Sequence, residues 1–292
     1  MEEKRTNYGL SVVQKSEKLG DNIKRLLKIF ITNQLWFLKK RLFIFSLIYP
    51  LTAPLSLIKN KRRNDSFDYF SIDKKRMLLR YRKIKLVLFY RDLETYKEIF
   101  ENYVYNHFNL KRSWIVIDCG ANIGFYTLRV APRVKKVISI EPNPYNYEML
   151  LLNLKINRIR NVVPLNLAIY DKRCSIRIYG EGPTSTIFKP KYSEKYVNVR
   201  AIPLDDITKR LKSIDLLKID VEGAEVEVLK GATSTLRKTR NIILEVHTHL
   251  IDDKKIWRIL ERYGFNLQRY SHPDPLISER TYIIIGKKSG DC

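Results

Sequence analysis

From Trp114 onward, short apolar runs alternate with stretches of helical spacing, and this alternation constrains the fold more than any other feature of the chain. The runs are WIVI (114–117), VISI (137–140), VVPLNLAI (162–169), IDLLKI (214–219) and IILEV (242–246), with TYIIIGKK (281–288) as a last strand. Helical stretches fall between them at 123–131, 144–157, 224–238 and 254–263. A strand that is oily on both sides must be buried on both, so the pattern predicts an α/β fold: a doubly wound, mostly parallel sheet with helices on each face. One gap breaks the rhythm. There CSIRIYG and YVNVRAIPL read as a hairpin, followed by a short helix at LDDITKRL. Upstream, MLLRYRKIKLVLFY alternates like an exposed strand pair, and DLETYKEIFENYVY repeats apolar residues at helical spacing behind Asp92, a suitable N-cap. The chain therefore divides into an extension over 1–63, a strand-and-helix lead-in over 64–110 and a main domain over 111–288.

In an open α/β sheet, ligands bind beyond the carboxyl ends of the strands. Asp118 stands at such an end, and the loop GANIG (Gly120, Ala121, Asn122, Ile123, Gly124) lets the backbone turn tightly and approach a ligand. A P-loop would need a lysine after the last glycine, where this chain has Phe125; a dinucleotide fingerprint would need G-x-G-x-x-G. An aspartate ahead of the first glycine also repels a pyrophosphate. It suits a ligand with an ammonium end, and S-adenosylmethionine, a zwitterion carrying a sulfonium, meets that need. The second strand ends in Glu141, Pro142 and Asn143, about twenty residues past the loop, where an acidic side chain accepts hydrogen bonds from ribose hydroxyls. Together, D-x-G-x-N-x-G and a strand ending E-P-N form a specific signal.

The next two strands carry polar residues where burial is expected. Residues two apart on a strand share a face, so Lys218 and Asp220 point one way together, as do Glu245 and His247. An unpaired charge there costs several kcal/mol, so the four must pair with one another or with a ligand. A salt-bridge cluster with a purely structural role is one reading. The other is chemical: transfer of a methyl group to a hydroxyl needs the acceptor held in line and its proton removed. Asp220 or His247 is then the base, Lys218 and Glu245 set its protonation and orientation, Glu222 binds the acceptor, and Glu225 caps the following helix. Asp220, Glu222 and His247 form a set that could instead take a divalent cation. No acidic pair at fixed spacing demands one, so the expectation is a site without metal.

With VIDCGANIGFYT, ISIEPNP followed by NLKIN, LNLAIYD, LLKIDVEGAEVEVLKGA and IILEVH, the chain resembles the FkbM family of S-adenosylmethionine-dependent methyltransferases over about Tyr90 to Lys288. The resemblance implies a class I methyltransferase (Rossmann-like) fold and activity mostly on hydroxyls of sugars, polyketides or related natural products. It also implies that Asp118, Gly120, Asn122, Gly124 and Glu141, with their loop neighbours Ala121, Pro142 and Asn143, hold the cofactor, and that Asn166 and Ala168 lie beside its adenine.

Charge bears on partners. The formal net charge is +24, and the first fifth of the chain is disproportionately basic. Such a balance favours an anionic partner. Within the extension, the uncharged run Leu42–Ile58 lies between Lys39, Lys40, Arg41 and a second basic group at Lys59, Lys61, Arg62 and Arg63. Pro50 and Pro54 interrupt it, and its seventeen residues fall short of the roughly 20 a span requires. Residues 20–63 are expected to lie on an anionic membrane surface, or else to pack on protein, which places the chain in the cytoplasm at the inner membrane face. Three cysteines without a C-x-x-C pattern fit a reducing setting. RNA methylation is the rival reading: the charge invites it, but the N-P-P-[YF] tetrapeptide of exocyclic-amine chemistry is missing. A non-catalytic cofactor-binding or membrane-adaptor protein is the other.

Overall fold

The computed structural model describes residues 67–71, 76–102, 104–180, 185–189, 195–272 and 275–288. The expectations for residues 1–63 lie outside the described residues. Three strands come first: β1 (Phe67–Ser71), β2 (Arg76–Tyr81) and β3 (Ile84–Phe89), an antiparallel meander. A 3-10 turn at Tyr90–Asp92, the short α1 (Leu93–Tyr96) and a π-helical turn at Lys97–Glu101 follow. The main domain then runs β4 (Ile115–Cys119), α2 (Phe125–Val130), β5 (Lys136–Ile140), α3 (Pro144–Ile156), β6 (Val162–Leu165), β7 (Ala168–Ile169), β8 (Cys174–Tyr179), β9 (Tyr196–Ile202), α4 (Leu204–Thr208) and β10 (Ile214–Ile219). It ends with α5 (Glu225–Lys230), α6 (Thr233–Arg237), β11 (Thr239–His247), α7 (Asp253–Arg262), β12 (Phe265–Ser271), α8 (Pro275–Ser278) and β13 (Thr281–Lys288).

Seven of these strands form the central sheet, in the order β12-β13-β11-β10-β4-β5-β6. The five from β11 to β6 are parallel, and β13 runs antiparallel between β11 and β12. This is a doubly wound sheet of the kind the sequence pattern predicted, with its direction of winding reversing between β4 and β10. The apolar runs fill its core: Ile117, Cys119, Leu217, Ile219, Ile242 and Leu244 are fully buried. Burying one such side chain contributes about 1.5–3 kcal/mol, which is why runs this apolar become central strands. β10 buries all six of its residues, Asp215 and Lys218 included. Among the described residues, no helix is long and apolar enough to cross a membrane.

Four local departures from the sequence pattern have identifiable causes. The run 162–169 splits into β6 in the central sheet and β7 in a small sheet, β7-β9-β8. The helix expected over 224–238 breaks at Gly231, where a Cβ would sit 2.1 Å from the Tyr170 carbonyl oxygen. Asp92 does not cap forward; its Oδ2 reaches back and accepts the Phe89 N–H at 2.9 Å. β12 was not expected at all, because FNLQRYS is too polar for the strand pattern; it exists because β13 offers a complete ladder along which it pairs.

The lead-in is tied to the main domain by the NLKIN stretch of α3. Asn153 donates to the Val87 carbonyl at 2.9 Å and accepts the Val87 N–H at 2.7 Å. One turn later, Asn157 makes the same pair of bonds with Lys85, at 2.6 and 2.8 Å. Four helical residues rise about 6 Å and two strand residues about 6.6 Å, so asparagines at i and i+4 match alternate backbone sites of a strand. Two side chains thus pair the edge of β3 as a neighbouring strand would.

Candidate active site

β4 and β10 lie side by side with Asp118 opposite Lys218, so both side chains emerge on one face near the carboxyl ends of the strands. Asp118 is fully buried. Its Oδ2 accepts a hydrogen bond from Thr127 Oγ1 at 2.6 Å, and its Oδ1 lies 3.3 Å from Lys218 Nζ. Burial raises the Asp118 carboxyl above its usual range, against the opposing charge of Lys218. Gly120 follows at φ +80°; a Cβ there would lie 1.7 Å from the Asp220 carbonyl oxygen, so only glycine fits between the two strand ends.

Four of the loop's five backbone donors are already engaged. Gly120 and Ala121 both donate to the Ile140 carbonyl at 3.0 Å, Gly124 donates to Ala121, and Asn122 donates to Glu141 Oε2 at 2.8 Å. What the loop offers a ligand is acceptors: the Asp118 carboxylate and Asn122 Oδ1, a buried oxygen in no hydrogen bond among the described residues. That chemistry fits a ligand rich in donors and positive charge, and fits a phosphate badly. Glu141 braces the same corner. It is almost fully buried, its Oε1 accepts the Asn143 N–H at 2.9 Å, and burial pushes it up to about 7. Among the described residues Oε2 takes one N–H, from Asn122, which leaves a lone pair for a hydroxyl donor.

The remaining residues expected at the cofactor also make contacts within the protein. Pro142 gives its carbonyl, and Glu141 its own, to the Asn166 amide at 3.0 and 2.9 Å. Asn143 caps α3 by accepting the Tyr145 N–H at 3.0 Å and donates to Ser185 Oγ at 3.1 Å. Ala168 packs in the core of the small sheet with Ile178, Val199 and Ala201.

Beside this loop the structure gathers the polar residues of β10 and β11. Lys218 Nζ donates to the Gly120 carbonyl at 2.9 Å and to Asp220 Oδ2 at 3.2 Å. Burial alone would push its ammonium down, but Asp220 and Asp118 together hold it above the usual lysine range. Tyr105 brings its hydroxyl to both Asp220 Oδ2, at 3.2 Å, and Glu245 Oε2. A phenol has one proton to donate, so the two carboxyls cannot both accept it. Burial and the charge of Asp220 push Glu245 up to about 7, so that Glu245 can hold a proton toward the phenol oxygen while the phenol donates to Asp220. Asp220 itself lies below the usual carboxylate range: burial opposes that shift, and Lys218 and His247 outweigh it.

His247 stands at the end of β11. Its Nδ1 lies 2.7 Å from Glu225 Oε1, and its Nε2 3.4 Å from Glu222 Oε2. Burial disfavours the charged ring, but the hydrogen bond to Glu225 and the charge of Glu222 push it up to about 10. Glu225, expected to cap α5, accepts the Gly223 N–H at 3.0 Å and, fully buried, also fixes the imidazole. Glu222 holds φ +53°, unusual for a non-glycine residue, and its carbonyl accepts from Thr186 Oγ1 at 2.7 Å. Burial pushes Glu222 up to about 8. One ligand atom from each of Asp220, Glu222 and His247 lies within 4.8 Å of the others.

Residues 118–267 match the methyltransferase FkbM domain, half of the chain and all of the site from Asp118 to His247. The chain belongs to the FkbM methyltransferase family. S-adenosylmethionine is its cofactor. Among relatives, methyltransferase sdnD of Sordaria araneosa is 29% identical over 213 residues, 60% of this chain and 82% of that protein. The hexuronic acid methyltransferase AglP of Haloferax volcanii is 28% identical over 149 residues, 50% of this chain and 61% of that protein. A crystal structure of methyltransferase FkbM from Methylobacillus flagellatus KT is 19% identical, covers 65% of this chain and 47% of its own, and has a TM-score of 0.48.

Three residues of this FkbM site escaped the sequence reading. Tyr105 and Glu98 come from the lead-in, and nothing in their local pattern distinguishes them from helix residues. Burial and the charges of Glu245 and Asp220 push Glu98 up to about 9, which places it against the same cluster. Thr127 had a signal: it stands three residues past the last glycine of the loop, one turn from Asp118's strand end.

Proposed function

We propose that this chain transfers the methyl group of S-adenosylmethionine to a hydroxyl of a sugar, a lipid-linked glycan or a related natural product. The observation that carries the reading is the convergence of Asp220, Glu222 and His247 at the ends of β10 and β11, directly beside the Asp118–Gly120 corner. The cofactor supplies the methyl group: its S–CH3 bond breaks as the O–CH3 bond forms, and S-adenosylhomocysteine leaves. Everything else falls to the chain. Asp118 and Asn122 Oδ1 receive the donors of the amino-acid end, and Glu141 Oε2 receives a ribose hydroxyl. Of the two candidate bases, Asp220 is the better placed, because both nitrogens of His247 already face carboxylates. The acceptor's proton passes to Asp220, whose carboxylate the Tyr105 hydroxyl holds in place by a hydrogen bond. Lys218 keeps Asp220 ionised, while His247 and Glu222 orient the acceptor.

That AglP acts on a hexuronic acid supports a sugar acceptor. The basic extension supports delivery of this site to an anionic membrane surface through residues 20–63, and hence an acceptor tethered there. The test is tritiated methyl transfer into cell extract fractionated into lipid, glycan and RNA. Label is expected in glycan or lipid, falling at least 100-fold with Asp220→Asn while S-adenosylmethionine binding by calorimetry persists. Label in RNA, or undiminished labelling by the variant, would overturn the reading.

A further inference from the structure

We infer that Asp220, Glu222 and His247 form a binding site for a divalent metal ion of the Mn2+ type, with open positions facing the acceptor. The inference rests on the placement of an acceptor hydroxyl in this cleft, proposed above.

Four observations carry it. The first is the donor set: two carboxylates and one imidazole, a mixture that suits first-row divalent ions better than Ca2+. Two ligands on a metal at about 2.1 Å are about 3.0 Å apart when cis and about 4.2 Å when trans. The 3.4 Å between His247 Nε2 and Glu222 Oε2, and the 4.8 Å that bounds the trio, therefore need only small inward adjustments.

The second is the support behind the histidine. Glu225 is fully buried and takes Nδ1 at 2.7 Å, which turns Nε2 toward Glu222, a second member of the trio. A carboxylate behind a metal-binding imidazole is the usual way such a ligand is oriented and made more basic. His247 is itself 4% exposed, yet its Nε2 makes no hydrogen bond among the described residues; the approach to Glu222 is an ion-pair distance without hydrogen-bond alignment.

The third is that Asp220 has an oxygen to spare. Lys218 and Tyr105 both engage Oδ2, and Oδ1 enters no hydrogen bond among the described residues. The fourth is charge. Glu98, Asp118, Asp220, Glu222, Glu225 and Glu245 converge on this corner of a chain whose net charge is +24, and they face Lys218, His247 and His272. Carboxylates concentrated out of water require cations, and the sulfonium of the cofactor adds a single positive charge.

The ion takes no part in forming or breaking the methyl bonds. It binds the acceptor oxygen and eases loss of its proton, which still passes to Asp220. It also lets a negatively charged sugar approach a corner lined with carboxylates.

The experiment uses the full-length protein and Mn2+, followed by electron paramagnetic resonance of free Mn2+ with and without S-adenosylmethionine, alongside calorimetry of the cofactor alone. One Mn2+ per chain is expected. Glu222→Gln and His247→Gln should abolish it, and Glu225→Gln should weaken it by about 10–100-fold, all with cofactor affinity retained as evidence of folding. If the cofactor binds and Mn2+ stays free, or the variants bind Mn2+ as the parent does, the metal site is overturned while the methyltransferase reading stands. If one Mn2+ binds and the cofactor does not, the site is supported and the functional reading fails instead.

Discussion

Asp92 shows how one buried carboxyl governs pH response far from the active site. Burial pushes it from 3.8 to about 6, and its Oδ1 is buried without a partner among the described residues. A carboxyl with a raised folded-state value contributes stability that is fully present below pH 3.8 and lost as pH rises through about 6. Asp92→Asn can keep the bond to the Phe89 N–H through its carbonyl oxygen. The stability difference between variant and parent should therefore move in the variant's favour by on the order of 2–3 kcal/mol between pH 4 and pH 7. Urea midpoints at the two pH values check this; an unchanged difference would mean that Asp92 titrates normally. Gly120 is the steric counterpart. Gly120→Ala places a methyl inside the Asp220 carbonyl and forces an unfavourable φ, so S-adenosylmethionine binding should weaken at least 100-fold by calorimetry.

Among the elements, the α3–β3 clamp makes the sharpest prediction. Asn153 is fully buried and bonds both backbone groups of Val87 and the Ile123 carbonyl. Asn153→Ala leaves these buried groups unsatisfied, at about 1–3 kcal/mol each when no water reaches them. A loss of about 3–5 kcal/mol in urea unfolding is expected. Asn157→Ala should cost under about 1.5 kcal/mol, because its bonds to Lys85 are exposed and water can replace them. Equal costs at the two positions would show that the clamp does not work as described. NLKIN was visible in the sequence as a family mark, but its purpose was not. The partner of Asn153 lies 66 residues away, and no local pattern encodes that distance.

For the whole molecule, the contrast is between a strongly basic chain and an acidic active-site corner. The extension's flanking basic groups should hold the full-length protein on phosphatidylglycerol vesicles and not on phosphatidylcholine, with each basic residue near the surface contributing about 1 kcal/mol. Replacing Lys39, Lys40 and Arg41 by glutamine should release most of it in a sedimentation assay. Equal binding to both lipids would remove the membrane from the account.

By itself the sequence determined the alternation of the main buried strands with helices, the Asp118–Gly124 corner and the acidic end of β5, because each depends on periodicity or on residues adjacent in the chain. It also placed Lys218, Asp220, Glu245 and His247 near strand ends on shared faces, since a strand's period of two needs no tertiary information. Only the folded chain decided what those residues meet. Tyr105 reaches Asp220 across 115 residues and Glu245 across 140, and Glu225 turns from a helix cap into the support of His247 because β11 lies beside α5. Burial, which raises or lowers every charge in the site, is likewise a property of the packed structure: the same carboxylates in an unfolded chain would titrate alike.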